Sequence, residues 1–208
     1  MARLICLFGG TFDPVHRGHL EPLHELQQTL MADAVHIIPA SIPPHRSTPR
    51  ANSRQRLEML ELALGQYPDF VLDTRELERE GPSWTVLTLQ SLRKQYPDDS
   101  LCLVMGSDAF ADLPTWYHWQ EILDLAHIIV IERAGFEKPG RPEWATDYLR
   151  EDVSSLRSST CGGILHVSLK SVDISATDIR SRLSTGQPVT GLLSDEVITY
   201  IHKNGLYI

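Results

Sequence analysis

The stretch Arg3-Leu4-Ile5-Cys6-Leu7-Phe8-Gly9-Gly10-Thr11-Phe12-Asp13-Pro14-Val15-His16-Arg17-Gly18-His19-Leu20 orders the reading of the whole chain. Leu4 to Phe8 is apolar without polar alternation, the pattern of a strand covered on both faces. Leu20 opens a stripe continued by Leu23, Leu26 and Leu30, the spacing of one buried helix face. The residues between form a strand-to-helix loop at the carboxyl edge of a parallel sheet, where open α/β sheets bind ligands. Paired glycines let the backbone approach a phosphate or a flat ring, and the helix N-terminus offers unpaired N–H groups and partial positive charge. Thr11 adds a hydroxyl. His16 and His19, three residues apart around Gly18, set two imidazole N–H donors at the helix mouth. Read as ordinary structure, the glycines are a turn and the histidines are polar residues near a helix start. A zinc site built on His16, His19 and His24 would lack the cysteines or carboxylates that zinc spacing calls for.

The same pattern continues along the chain. Apolar runs recur at 34–38, 70–72, 101–105, 127–131 and 164–169, and helical stripes lie between them: Leu57, Leu60 and Leu64, then Val86, Leu89, Leu92 and Tyr96. Asn52 with Gln55 predicts a capping box, and the next helix follows Pro82-Ser83. Alternating strands and helices predict an α/β protein with a doubly wound, mostly parallel sheet. Two helices close the chain, Ser175 to Leu183 and Asp195 to Lys203, with Gly186 and Gly205 as stops. Residues 1–208 read as one domain, in which 135–163 is a peripheral insertion, part helical between Asp147 and Gly163. No repeat, low-complexity tract or interdomain linker interrupts it.

With 208 residues, 42% of them apolar and 22% charged, the chain can bury one sizeable core. A net charge of −8 argues against a broad nucleic-acid or anionic-membrane surface, so an anionic ligand must meet local positive groups. Cys6, Cys102 and Cys161 are widely spaced, two of them inside apolar runs, which reads as reduced thiols in a cytoplasmic protein. The apolar start is too short for a secretory leader, and no run reaches membrane-spanning length. The motif G-x-G-x-x-G is absent after the first strand, and so is G-x-x-x-x-G-K-[ST], which disfavours a dehydrogenase and a P-loop kinase.

Gly9-Gly10-Thr11-Phe12-Asp13-Pro14 followed by His16-x-Gly18-His19 resembles the signature of the H-x-G-H nucleotidyltransferase superfamily, and more closely that of bacterial nicotinate-nucleotide adenylyltransferases. Ile174-Ser175-Ala176-Thr177-Asp178-Ile179-Arg180 resembles the second motif, I-S-x-T-x-I-R, about 155 residues further on. The resemblance implies a Rossmann-like nucleotidyltransferase fold and an ATP site made by Gly9, Gly10, Thr11, Phe12, His16, Gly18, His19, Gly106, Asp108, Ile174, Ser175, Thr177 and Arg180. Residues 170–208 would complete that site. Physically, Ser175 and Thr177 are capping hydroxyls and Arg180 can form charge-assisted bonds to phosphate. A plain capped helix with an outward Arg is the other reading. Ala176 departs from relatives that carry a second Ser there, which could remove one phosphate contact.

Nicotinate mononucleotide is the implied acceptor. Pro43-Pro44-His45-Arg46, Ser83-Trp84-Thr85-Val86 and Pro114-Thr115-Trp116-Tyr117 all resemble segments of that family. There Trp116 would stack on the pyridine ring, backbone N–H groups near Val86 and Tyr117 would take its carboxylate, and Thr11, Asp108 and Arg133 would complete the contacts. The alternatives are that Trp84, Trp116, Tyr117 and Trp119 are core or anchor aromatics and that Asp108 caps a helix. The implied reaction is in-line attack of the acceptor phosphate on the α-phosphorus of ATP, with no covalent intermediate. His16 and His19 would serve the transferring phosphate, while Arg180 and Mg²⁺ carried with ATP would serve the pyrophosphate; no protein metal ligand is assigned. Competing readings are a pantetheine-phosphate adenylyltransferase, an enzyme preferring nicotinamide mononucleotide, and a non-catalytic nucleotide-sensing module. Assembly as a homo-oligomer is left open.

Overall fold

The structure, a computed structural model, describes residues 2–41, 48–133, 142–170 and 173–208. In that part, strands β1 (Leu4–Gly10), β2 (Ala34–Pro39), β3 (Phe70–Leu72), β4 (Ser100–Gly106), β5 (His127–Arg133) and β6 (Ile164–Leu169) form one sheet in the order β3-β2-β1-β4-β5-β6. Every neighbouring pair is parallel, so the sheet is more uniform than expected. The helices are α1 (Arg17–Leu30), α2 (Ser53–Leu64), α3 (Arg75–Glu78), α4 (Thr85–Gln95), α5 (Ser107–Ala111), α6 (Gln120–Leu125), α7 (Val153–Arg157), α8 (Ala176–Ser184) and α9 (Asp195–Lys203). Short 3-10 turns add Leu113–Thr115 and Glu143–Tyr148.

Strand pleating sends successive side chains to opposite faces, and both faces are buried over the four inner strands β2, β1, β4 and β5, less so at the edges β3 and β6. Leu4, Cys6, Cys102, Val104, Ile129 and Leu165 pack with Leu20, Leu23, Leu26 and Leu30 of α1, Met59 and Leu60 of α2, Ile179 and Leu183 of α8, and Val197 and Ile201 of α9. On the other face Ile5, Leu7, Leu103, Met105, Ile128 and Val130 meet Leu89 and Leu92 of α4, Phe110 of α5, and Ile122 and Leu123 of α6. Full burial of each such side chain stabilises by about 1.5–3 kcal/mol. This explains why the strands are predominantly apolar without regular polar alternation.

Asn52 and Gln55 form the capping box, with Gln55 N–H donating to Asn52 Oδ1 at 2.9 Å and Asn52 N–H to Gln55 Oε1 at 3.0 Å. The buried face of α2 is nevertheless Arg56, Met59, Leu60, Ala63 and Leu64, one residue round from the apolar stripe, because a charged residue holds a core-facing position. Between 142 and 163, Ala145 and Leu156 are fully buried, and Trp144 packs on Phe110 and Trp119 with ring centroids 5.4 and 4.8 Å away. Gly186 and Gly205 sit at φ 68° and 59°, as helix-stopping glycines do.

Candidate active site

From β1 the chain winds outward through β2 and β3, then returns to β4 on the other side and continues to β6, so a switch point opens at the carboxyl ends of β1 and β4. A cleft of about 1470 Å³ lies there. That exceeds the roughly 300–1,000 Å³ of a site for one drug-sized ligand and leaves room for two nucleotides together.

The first loop forms one wall. Phe12, 2% exposed, has φ 51° and lays its ring over Gly10, where an added Cβ would stand 2.8 Å from the ring edge. Gly10 is thus required by Phe12, whose ring also packs edge-on to His19 with centroids 5.2 Å apart. Phe12 lines the cleft but is mainly a packing residue. At Gly9 a Cβ would meet only the Ile38 carbonyl at 3.9 Å, so that position is open to a ligand.

His16 is the N-cap residue of α1, with extended backbone, and is 5% exposed. Its N–H donates to His19 Nδ1 at 3.3 Å, which places the proton of a neutral His19 on Nε2. The two rings stack at 3.6 Å with 19° between planes. Burial pushes His16 down to about 4, so it is neutral at pH 7. Its Nδ1 is buried and has no hydrogen-bond partner among the described residues. A Cβ on Gly18 would lie 3.1 Å from both His16 Nδ1 and Ile174 Cβ and 3.2 Å from the Ile174 carbonyl. The glycine of the first motif is therefore where the second motif touches it.

That second motif starts α8. Ser175 caps the helix by accepting from Asp178 N–H at 3.1 Å. Arg180 donates from Nη2 to Thr177 Oγ1 at 3.2 Å and from Nη1 to the Asp13 carbonyl at 2.7 Å. Ile174, Ser175, Thr177 and Arg180 all line the cleft, with Ala176 beside them.

On the far side Trp84 is the N-cap residue of α4, and the first-turn N–H groups of Thr85 and Val86 have no carbonyl within their own helix. Val86 is 1% exposed, so its side chain belongs to the core and only its backbone can serve a ligand. Trp84 stacks on Tyr117 at 4.9 Å, while Trp116 is half-buried against the core and also lines the cleft. Gly106 and Asp108 line it as well. Asp108 does not cap α5, whose N-cap is Gly106, and it is exposed to the cleft. Arg133 ends β5, but its side chain lies outside the described part, as do His45 and Arg46. His24 stands apart, against Gln28, Tyr67 and Phe70. Among the described residues no three His, Cys, Asp or Glu side chains gather to hold a metal ion.

The sequence profile of the cytidylyltransferase-like family matches residues 7–182. The chain is 44% identical over 212 residues to the nicotinate-nucleotide adenylyltransferase of Escherichia coli O6:H1, covering 100% of each. It is 45% identical over 207 residues to a probable nicotinate-nucleotide adenylyltransferase of Acidithiobacillus ferrooxidans, covering 98% of this chain and 95% of the relative. The chain belongs to the cytidylyltransferase-like family, among its nicotinate-nucleotide adenylyltransferases. Its fold is also that of Plasmodium falciparum nicotinic acid mononucleotide adenylyltransferase complexed with NaAD, with a TM-score of 0.76 at 18% identity over 99% of this chain and 97% of that one. A Vibrio parahaemolyticus structure described as a putative nicotinate-nucleotide adenylyltransferase gives 0.67 at 17%, over 99% and 95%.

Two residues of this adenylyltransferase-type site escaped the sequence. Arg56, 1% exposed, holds the loop from beneath, donating to the Thr11 carbonyl at 2.7 Å, the Ser41 carbonyl at 3.3 Å and Ser53 Oγ at 3.2 Å. Asp13 receives backbone N–H groups from Arg50 at 2.8 Å and Ala51 at 3.0 Å. The signal for Arg56 was its position three and four residues before Met59 and Leu60, on their face.

Proposed function

We propose that the chain transfers the adenylyl group of ATP to nicotinate mononucleotide, giving nicotinate adenine dinucleotide and pyrophosphate, a step of NAD biosynthesis. The observation that carries this is the close packing of Gly18 on Ile174, which sets the His16-His19 pair and the Ser175 to Arg180 turn on one wall of a two-nucleotide cleft. The acceptor phosphate attacks the α-phosphorus in line while pyrophosphate leaves. Catalysis is positioning and neutralisation of charge as it builds. His19 Nε2–H and His16 donate to the transferring phosphoryl oxygens. Arg180 and the N-terminus of α8 take the β- and γ-phosphates, and Asp108 holds ribose hydroxyls. Magnesium enters with ATP as part of the substrate, held mainly by phosphate oxygens and water.

The pyridine ring lies on Trp116, near Trp84 and Tyr117, with its carboxylate at the α4 N-terminus, where the Thr85 and Val86 N–H groups point. An amide there would lose the charge that the helix terminus favours, so nicotinate is preferred over nicotinamide. Two of the three cysteines are fully buried and all are free, which suits a reducing compartment, and we place the reaction in the cytoplasm. Pyrophosphate release from ATP with nicotinate mononucleotide, nicotinamide mononucleotide or phosphopantetheine tests the reading. The first should turn over fastest; no turnover with any of them sinks it.

A further inference from the structure

Asp13 lies directly under the phosphate-binding loop and is 6% exposed. Its Oδ2 accepts from the Arg50 N–H at 2.8 Å, and its Oδ1 accepts from the Ala51 N–H at 3.0 Å and from the Tyr207 hydroxyl at 2.6 Å. Tyr207 is 7% exposed and comes from 194 residues away along the chain. It is delivered by α9, which is fastened to α2 through the Tyr200 hydroxyl on Glu58 at 2.6 Å.

Arg180 meets this carboxylate only as a long ion pair, with no hydrogen bond to either of its oxygens. Its Nη1 is 4.0 Å from Asp13 Oδ2, and that nitrogen donates to the Asp13 main-chain carbonyl instead, at 2.7 Å. An arginine next to a carboxylate ordinarily closes on it through two parallel bonds, and a carboxylate has about four acceptor positions. Three donors already occupy Asp13. With one bond to the carbonyl and one to Thr177, Arg180 keeps its remaining N–H groups for the cleft.

We propose that Tyr207 and Asp13 are positioning residues for Arg180: the Tyr207 hydroxyl and the Ala51 N–H together fill Oδ1, the second oxygen that a two-bond closure of the guanidinium would need, so Arg180 stays 4.0 Å from Oδ2 and aimed at the phosphates of ATP. This rests on the role given to Arg180 above. Burial and the adjoining carboxylate push the Tyr207 phenol upward, which keeps it a donor throughout the working pH range. Without that hydroxyl, Arg180 turns inward onto Asp13 and the ATP site loses a cation while the acceptor site is untouched.

The test is a double-mutant cycle on wild type, Tyr207→Phe, Arg180→Ala and the double variant, reading kcat/KM for ATP, KM for nicotinate mononucleotide and the affinity for a non-hydrolysable ATP analogue. Tyr207→Phe should lower kcat/KM for ATP and analogue affinity about tenfold, the loss of roughly one charge-assisted contact. The acceptor KM should stay within about twofold, and adding Tyr207→Phe to Arg180→Ala should change nothing further. If the two losses multiply in the double variant, or the acceptor KM rises as much as that for ATP, Tyr207 is only a structural anchor and the proposal falls. The analogue cycle needs no acceptor, so a wild type that binds it but ignores nicotinate mononucleotide overturns the acceptor reading alone; failure to bind the analogue overturns both.

Discussion

Replacing Gly18 with Ala should separate the stability of this protein from its activity. The new Cβ would stand 3.1 Å from His16 Nδ1, 3.1 Å from Ile174 Cβ and 3.2 Å from the Ile174 carbonyl, all inside the usual contact range of about 3.5–4.0 Å. Neither neighbour yields easily: His16 is 5% exposed and stacked on His19, and the carbonyl belongs to the backbone leading into α8. Relief takes a shift of a few tenths of an ångström, at an overpacking cost of about 1–3 kcal/mol. Ala in place of a helical Gly recovers up to about 1 kcal/mol. The net loss is about 0–2 kcal/mol, or roughly 0–8 °C in Tm for a chain of this size. The shift falls between the two motifs to which we assign the phosphate chain of ATP. Since a misplacement of about 1 Å can cost a factor of 10², a fraction of that should lower kcat/KM for ATP at least about tenfold. Calorimetry and pyrophosphate-release kinetics on the same preparation decide the matter. Gly65→Ala is the control, since Gly65 lies outside the cleft and its Cβ would meet only the Leu62 carbonyl at 3.4 Å. A Gly18→Ala enzyme with wild-type kcat/KM would show that the contact with Ile174 does not set the site.

Three further outcomes are expected. Arg56→Met should destabilise the fold by about 3 kcal/mol, because the Thr11 and Ser41 carbonyls lose a buried charged donor; a melting temperature within about 2 °C of wild type would contradict this. His16 has its folded pKa lowered to about 4 against about 6.5 unfolded, so between those values the unfolded chain holds a proton that the folded one does not. Its contribution is complete above pH 6.5 and falls away as the pH drops to 4, by up to about 3 kcal/mol in all; denaturant unfolding across that window should lose this slope in His16→Gln, and an unchanged slope refutes the burial argument. His19→Ala should lower kcat far more than analogue affinity, because its Nε2–H meets charge that grows in the transition state; a fall in affinity alone would move His19 to a binding role.

The fold was legible because the sheet is covered on both faces. Each strand from Leu4 to Leu169 is predominantly apolar, with β2 and β6 interrupted by His36, His166 and Ser168, and helices of nine residues or more carry a stripe or a cap that the sequence displays. The short helices α3, α5 and α6 were not legible, since four to six residues complete too few turns to show a period, while α7 falls inside the stretch from Asp147 to Gly163 expected to be part helical. The face of α2 was misjudged by one position at Arg56. An apolar stripe passes over a charged residue, yet here the Thr11 and Ser41 carbonyls and Ser53 Oγ take both terminal nitrogens of that guanidinium inside the core.

The cleft divides along the same line. His16, Gly18, His19, Thr177 and Arg180 line the cleft as their motifs led one to expect, because a short motif encodes the local geometry that puts them there, a helix mouth or a cap. Asp13 was written in the same motif but its purpose was not, because its donors come from 37, 38 and 194 residues away. A loop of glycines and histidines specifies what it can bind, but it cannot hold its own shape: Gly10 yields to the Phe12 ring, Thr11 hangs from Arg56, and Asp13 is pinned by Tyr207. Those supports are long-range, and they act in the packed fold on residues to which we assign phosphate contact. Substitutions at Arg56 or Tyr207 should therefore change ATP handling although neither contributes a group to the wall where the nucleotide lies.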